Sequence, residues 1–126
     1  MEFKVKDLMK SPLITTYPNS TIQYIRELME RKGIQAIPIV SDSGNLDVLG
    51  IITATDLRGI NDETQQVAEY MTKEIYRVEA GVDAEIAART MLEDNVHHLI
   101  VEENGKVTGM LSSLDFVRLV AEIGYK

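Results

Sequence analysis

The sequence predicts an α/β protein made of two copies of one structural unit. The heptapeptides GIITATD (50–56) and GMLSSLD (109–115) share a glycine, two apolar residues, a hydroxyl residue and an aspartate three positions later. Each heptapeptide, called here the first or second signature, follows a segment of helical period and an apolar strand-like run. A unit of roughly 60 residues buries a core poorly alone. Two repeats, at 5–60 and 67–122, are therefore expected to pack as one module over 1–126.

The first repeat reads as strand, helix, strand, strand, helix. An extended segment, LITT, precedes a helix expected over about 21–32, which ends at Gly33. Its inner face carries apolar residues at helical spacing: Ile22, Ile25, Leu28 and Met29. A buried strand (QAIPIV), a loose turn (SDSGNLD), a second strand and a short helix starting at TDLRGI complete the repeat. INDETQQ then reads as a polar linker.

The second repeat gives the same order of elements. IYRV is an extended segment, and a helix is expected over about 83–94 with Ile86, Ala87 and Met91 inward. Asn95 is its C-terminal stop. The strand HHLIV leads into ENGK, whose Asn-Gly pair predicts a tight hairpin turn. The last strand ends at the second signature, and SLDFVRLVAEI predicts the final helix.

The chain resembles a pair of cystathionine-β-synthase (CBS) domains, also called a Bateman module. The resemblance rests on DLM and EYM, which open the repeats, on the central strands within GIQAIPIV and NVHHLIV, and on the two signatures. It implies two repeats packed with pseudo-twofold symmetry. It also implies a regulatory module that binds adenine nucleotides (AMP, ADP, ATP, or less often S-adenosylmethionine) in clefts between the repeats. A homodimer and an unidentified regulated protein are the implied partners, and the pair is expected to stand alone.

The hydroxyl and aspartate of each signature have two interpretations. A helix N-terminus offers unpaired N–H groups to a phosphate, and Thr53 or Ser112 can add a hydroxyl there. Asp56 or Asp115 can accept hydrogen bonds from ribose hydroxyls. The same spacing is also close to a helix capping box, which needs no ligand. Both interpretations stay open at this point.

His97 and His98 are the only histidines of the chain. The resemblance places them where nucleotide-binding relatives often carry basic residues that reach phosphates. A histidine beside a phosphate becomes more protonated, so binding should tighten below neutral pH. The alternatives are two structural histidines, one facing solvent and one hydrogen-bonded, and, less favoured, a metal site.

The two nucleotide sites are expected to be unequal, because the first repeat has Gln35 and Ala36 where the second repeat has the two histidines. The better site is expected to use the second signature, and the adenine is expected to contact backbone groups near Ile37 and Pro38. Its predicted residues are Ser112, Asp115, His97, His98, Met9, Ile14, Ile34, Gln35, Ile37 and Pro38. The weaker site is predicted to combine Thr53, Asp56, Arg58, Tyr76, Val96 and Leu99.

Composition argues against several other functions. The chain lacks cysteine and carries a net charge of −7, with no lysine and arginine cluster suited to nucleic acid. We find no phosphate loop, metal-ligand spacing or catalytic triad, so an enzyme is not expected, and neither is a metal or other cofactor. No segment reads as a signal peptide or membrane span, which makes the cytoplasm the expected location. The remaining rival is a structural or dimerisation module that binds no ligand.

Overall fold

The computed structural model describes residues 2–43 and 47–123. Its helices and strands are interspersed along the chain, in agreement with the predicted α/β class. In chain order they are α1 (Val5–Leu8), α2 (Ile22–Lys32), β1 (Ala36–Val40), β2 (Val48–Thr53), β3 (Arg77–Glu79), α3 (Ala84–Asp94), β4 (His98–Glu103), β5 (Lys106–Ser112) and α4 (Ser113–Ile123), with a 3-10 turn at Val67–Glu69 between β2 and β3. Within these ranges, no helix combines the length and apolar character that crossing a membrane requires.

The chain forms two compact units, which do not coincide with the two sequence repeats. The middle unit is Ile14–Ile75, and the end unit joins the residues up to Leu13 to those from Tyr76 onward. The middle unit contains the antiparallel pair β1–β2. The end unit contains a three-stranded sheet, in which β3 is parallel to β4 and β4 is antiparallel to β5.

Several predicted elements are confirmed. The side chain of Thr21 caps α2 by accepting the Tyr24 N–H, and Gly33 ends the helix with φ 65°. All four predicted inner residues of α2 are buried. Asn95 ends α3 with φ 54° in the left-handed region, as predicted. Asn104 and Gly105 also have positive φ values, 54° and 77°, which is the conformation an Asn-Gly hairpin turn requires.

Three expectations for local structure were wrong. LITT forms no strand; only Thr16 bridges β1, because Pro12 and Pro18 bracket a short segment. TDLRGI forms successive turns instead of a helix, ending at Gly59 with φ 81°. Ile86 is 49% exposed. The buried face of α3 follows Ala84, Ala87 and Met91, and Ile86 lies about 100° around the helix from Ala87. The predicted turn SDSGNLD includes residues 44–46, which lie outside the described residues.

Each unit has its own apolar core. In the middle unit, α2 packs against β1 and β2 through a buried cluster that consists of Ile22, Ile25, Leu28, Met29, Ile37, Ile39, Ile52, Leu57 and Val67. In the end unit, α1 and α3 pack against β4 and β5 through Val5, Ala80, Ala87, Met91, Leu99, Val101 and Leu111. Val5 is fully buried, so the start of the first repeat belongs to the core of the end unit.

The opening segment of each repeat pairs with the last strand of the other repeat. In the end unit, the N–H of Lys10 donates to the carbonyl of Met110 at 2.9 Å, and the Met110 N–H donates back at 3.2 Å. In the middle unit, Ile51 and Thr72 exchange the same two bonds, both at 2.9 Å. Lys4 adds an ion pair to Asp83 at the start of α3, and this hydrogen bond lowers the pKa of Asp83.

The signature glycines permit this close pairing. A Cβ on Gly109 would lie 2.6 Å from the carbonyl oxygen of Lys10 and 2.8 Å from the sulfur of Met9. A Cβ on Gly50 would meet the Met71 sulfur at 2.8 Å and the Thr72 carbonyl oxygen at 2.9 Å. Real Cβ atoms do not approach backbone oxygens so closely. The glycine of each signature is therefore explained by packing against the opening segment.

We predict that Gly109→Ala destabilises the protein by about 1–3 kcal/mol, the usual cost of overpacking, because the Lys10 carbonyl must move. Urea unfolding followed by circular dichroism would measure the change. Gly81→Ala is the matched control, since its Cβ would meet nothing within 4 Å. Equal stability of Gly109→Ala and Gly81→Ala would contradict the packing explanation.

Candidate functional site

The first signature forms a reciprocal hydrogen-bonded turn in the middle unit. The N–H of Thr53 donates to Oδ2 of Asp56 at 2.9 Å, and the N–H of Asp56 donates to Oγ1 of Thr53 at 3.2 Å. This is the hydrogen-bond pattern of a capping box, but here it closes a turn and no helix follows. Both residues are partly exposed.

The second signature holds its aspartate in a more enclosed position. Oδ2 of Asp115 accepts the Ser112 N–H at 2.7 Å and the Ser112 hydroxyl at 3.3 Å. Oδ1 accepts Nη1 of Arg118 at 2.7 Å. Asp115 is only 5% exposed, whereas the Arg118 side chain is about half exposed. The carboxylate therefore caps the start of α4 and neutralises a guanidinium on the same helix.

Backbone bonds attach each signature to the start of its central strand. The Ala54 N–H donates to the carbonyl of Gln35 at 2.9 Å, and the Ser113 N–H donates to the carbonyl of His97 at 2.9 Å. Gln35 therefore lies beside the first signature and His97 beside the second, each within its own unit, although the sequence grouped Gln35 with the second signature. His97 is exposed, and His98 is partly buried opposite Ser112 in the β4–β5 register.

An open pocket of about 560 Å³ lies beside the first signature in the middle unit. Residues from α2, the connection between α2 and β1, and the turn after Thr53 line it: Arg26, Met29, Glu30, Gly33, Ile34, Gln35, Ala54, Leu57 and Arg58. Arg26 is committed to structure, since it pairs with Glu63 at 2.8 Å and donates to the carbonyls of Leu57 and Ile60. Arg58 is exposed, and no ion pair or hydrogen bond reaches its side chain from residues 2–43 and 47–123. The pocket can therefore present a cation beside apolar surface.

The predicted site residues divide between the units. The middle unit contains Ile14, Ile34, Gln35, Ile37, Pro38, Thr53, Asp56 and Arg58, and the end unit contains Met9, Tyr76, Val96, His97, His98, Leu99, Ser112 and Asp115. Ile37, Pro38 and Leu99 are fully buried. Ile14 and Ile34 pack on the middle core, and Met9, Tyr76 and Val96 on the end core, each only partly buried. The composition of both nucleotide sites stays a prediction.

Sequence reasoning missed Arg26 and Arg118. Arg118 lies three residues after Asp115 on a continuous helix, a spacing at which side chains meet. The ion pair between them could therefore have been predicted from the sequence. Arg26 has no such local signal, because its partners Leu57, Ile60 and Glu63 are brought to it by the turn and linker.

Among the described residues there is no cluster of three or more histidine, aspartate or glutamate residues that could hold a metal ion.

Comparison with known protein families identifies the repeats. The model of the CBS domain family matches twice, at residues 5–61 and 67–122. The chain belongs to the CBS domain family. The two-repeat α/β fold expected from the sequence is therefore confirmed.

Solved CBS structures share the fold. The CBS domain pair of protein MJ0100, in complex with 5′-methylthioadenosine and S-adenosyl-L-methionine, is 26% identical with a TM-score of 0.82, covering 94% of this chain and 96% of that one. The CBS-domain protein ATU1752 from Agrobacterium tumefaciens is 28% identical with a TM-score of 0.82, covering 94% and 93% of the two chains.

Curated relatives are much longer than this CBS pair. Inosine-5′-monophosphate dehydrogenase of Mycobacterium leprae is 36% identical over 107 residues, which are 83% of this chain and 20% of the enzyme. The chain thus spans about a fifth of the length of the curated relatives it matches. The similarity concerns only that fifth of the enzyme.

We predict that Asp115→Ala lowers the free energy of unfolding by about 1–3 kcal/mol, because it leaves the partly buried Ser112 N–H without its acceptor. Glu122→Ala, an exposed carboxylate change on the same helix, serves as the control and should have little effect. Thermal unfolding monitored by circular dichroism measures both. An Asp115→Ala protein as stable as Glu122→Ala would show that the carboxylate contributes no cap.

Proposed function

We propose that this CBS pair is a regulatory module that binds adenine nucleotides (AMP, ADP or ATP), with S-adenosylmethionine as the alternative ligand. The observation that carries the proposal is the pocket beside the first signature, which combines apolar surface, a ribose-accepting carboxylate nearby and a cation. The adenosine-containing ligands of the MJ0100 CBS pair support the same ligand class.

The pocket residues suit the three parts of a nucleotide. Met29, Ile34 and Leu57 offer aliphatic surface to the flat base. Asp56 lies in the same turn as Leu57, and its carboxylate is suited to accept bonds from ribose hydroxyls. The Arg58 guanidinium is always charged and can donate two parallel hydrogen bonds to a phosphate. These are complementary roles for neighbouring residues.

The charges in the pocket bear on the choice of ligand. Arg58 favours an anionic phosphate over the positively charged sulfonium of S-adenosylmethionine. Glu30 also lines the pocket and has the opposite preference. We place nucleotides first because an arginine can bind a phosphate bidentately, whereas a sulfonium has no N–H or O–H group to donate to a carboxylate.

The regulatory role completes the proposal. A module that binds a nucleotide without transforming it acts by changing its contacts with another protein or another copy of itself. We propose such a regulated partner, a homodimer and a cytoplasmic location, as the sequence led us to expect. We propose no catalytic role.

Calorimetric titration of the ligand-stripped protein with AMP, ADP, ATP and S-adenosylmethionine tests the proposal. We predict saturable binding of at least one nucleotide. Arg58→Gln should weaken ATP binding by about ten- to a hundred-fold, the factor lost with a hydrogen bond to a charged group, and should leave adenosine binding unchanged. Arg31→Gln, another exposed arginine in the same unit, is the matched control. Flat titrations with all four ligands would refute nucleotide sensing.

Histidine involvement has its own test. If His97 contacts a phosphate, nucleotide binding should tighten as the pH falls below neutral, because the phosphate favours the protonated imidazole. His97→Gln should abolish this pH dependence. Binding that responds equally to pH in both proteins would assign the histidine a structural role only.

A ligand-free assembly module is the second candidate, and one observation favours it. Helix α4 carries four apolar side chains that are each about half exposed: Leu114, Val117, Val120 and Ile123. Exposed apolar surface of this kind often marks a site where a partner protein binds. In this candidate, the occupant is α4 of a second copy.

We predict that Val117→Asp converts such a dimer to monomer. Light scattering coupled to gel filtration gives the mass. Leu92→Asp, which also replaces an exposed apolar residue by aspartate, is the control; Leu92 lies on α3 and is 83% exposed. A wild-type monomer at all concentrations, or a Val117→Asp protein that stays dimeric, would remove this candidate.

A further inference from the structure

The two signature aspartates differ in how much of each carboxylate a ligand can reach. Asp115 is 5% exposed, with Oδ2 bonded to Ser112 and Oδ1 bonded to Arg118 at 2.7 Å. Asp56 is partly exposed, and Oδ2 accepts the Thr53 N–H. From the described part of the chain, no hydrogen bond reaches its other oxygen. Only the first signature therefore offers a carboxylate oxygen that is both accessible and unused.

The difference has a local structural cause. On α4, residues 115 and 118 are one turn apart, so the guanidinium folds back onto the carboxylate. The position equivalent to Arg118 in the first repeat is Gly59, which has no side chain and turns the chain with φ 81°. The turn that replaces a helix after the first signature thus leaves Asp56 without an internal cation.

We infer that Arg118 closes the second signature to ribose and that the adenosine ligand binds through Asp56. The inference rests on the proposed function and reverses the ranking of the two sites expected from the sequence. A ribose that binds Asp115 must displace a charge-assisted bond to a buried carboxylate, and the displaced guanidinium gains only water in exchange. A ribose at Asp56 displaces water alone. Arg118 is accordingly a specificity residue that decides which repeat is occupied.

Calorimetry with adenosine separates this effect from phosphate binding, because adenosine has no charge that could respond to loss of an arginine. We expect the wild-type chain to bind one equivalent, and Asp56→Asn to weaken it by about ten- to a hundred-fold. Arg118→Gln should add a second equivalent, which the double variant Arg118→Gln/Asp115→Asn should lose. Arg89→Gln, an exposed arginine on α3, is the control for charge and should bind one equivalent.

Each outcome decides between the possibilities. Three outcomes would overturn the inference while keeping the proposed function. They are full-affinity adenosine binding by Asp56→Asn, two bound equivalents of adenosine in the wild type, and one bound equivalent in a folded Arg118→Gln protein. No binding of adenosine, AMP, ADP, ATP or S-adenosylmethionine by either the wild type or Arg118→Gln would overturn both. If Arg118→Gln unfolds, the Asp56→Asn variant alone tests the inference. If the second signature is closed, Asp56→Asn must lack any site that binds adenosine with full affinity.

Discussion

The close contact between a signature glycine and an opening segment from the other repeat is the constraint on which this structure depends. In both units a methionine and a backbone carbonyl lie where a side chain would otherwise stand, and two backbone hydrogen bonds join the segments. The pairing places Val5 in the core of the end unit and Val67 in the core of the middle unit. A single repeat therefore lacks part of its own core, which accounts for the duplication better than two independent sites would.

The same strands that receive the opening segments end at the polar part of each signature. Thr53 and Ser112 lie at the strand ends, and Ala54 and Ser113 donate to the carbonyls of Gln35 and His97. These contacts fix the aspartates before any ligand is considered. The same carboxylate thus accepts the capping hydrogen bonds and could bind a ligand. A ligand can bind it only if part of the carboxylate stays exposed after capping.

Local patterns predicted the fold class and the helices α2 and α3 correctly. Their apolar spacing, the Thr21 cap and the stops at Gly33 and Asn95 act within a few residues, so the sequence displays them directly. The exchange of opening segments could not be predicted in this way, because Lys10 and Met110 are distant in sequence and both segments look alike. The absence of a second helix in the first repeat was open to prediction, because TDLRGI contains Gly59, a residue that favours a turn over a helix. Burial of Ile37, by contrast, agrees with the prediction of QAIPIV as a buried strand.

We infer that the first signature binds the ligand and that the second serves mainly as a charge-neutralised cap at the start of α4. Titration of isotope-labelled protein with AMP, followed by amide NMR spectra, tests this without altering any residue. We predict saturable shifts at Gln35, Ala54 and Asp56, with the amides of Ser112, Ser113 and Asp115 nearly unchanged. Saturable shifts confined to the second group, with Ala54 and Asp56 unmoved, would contradict it.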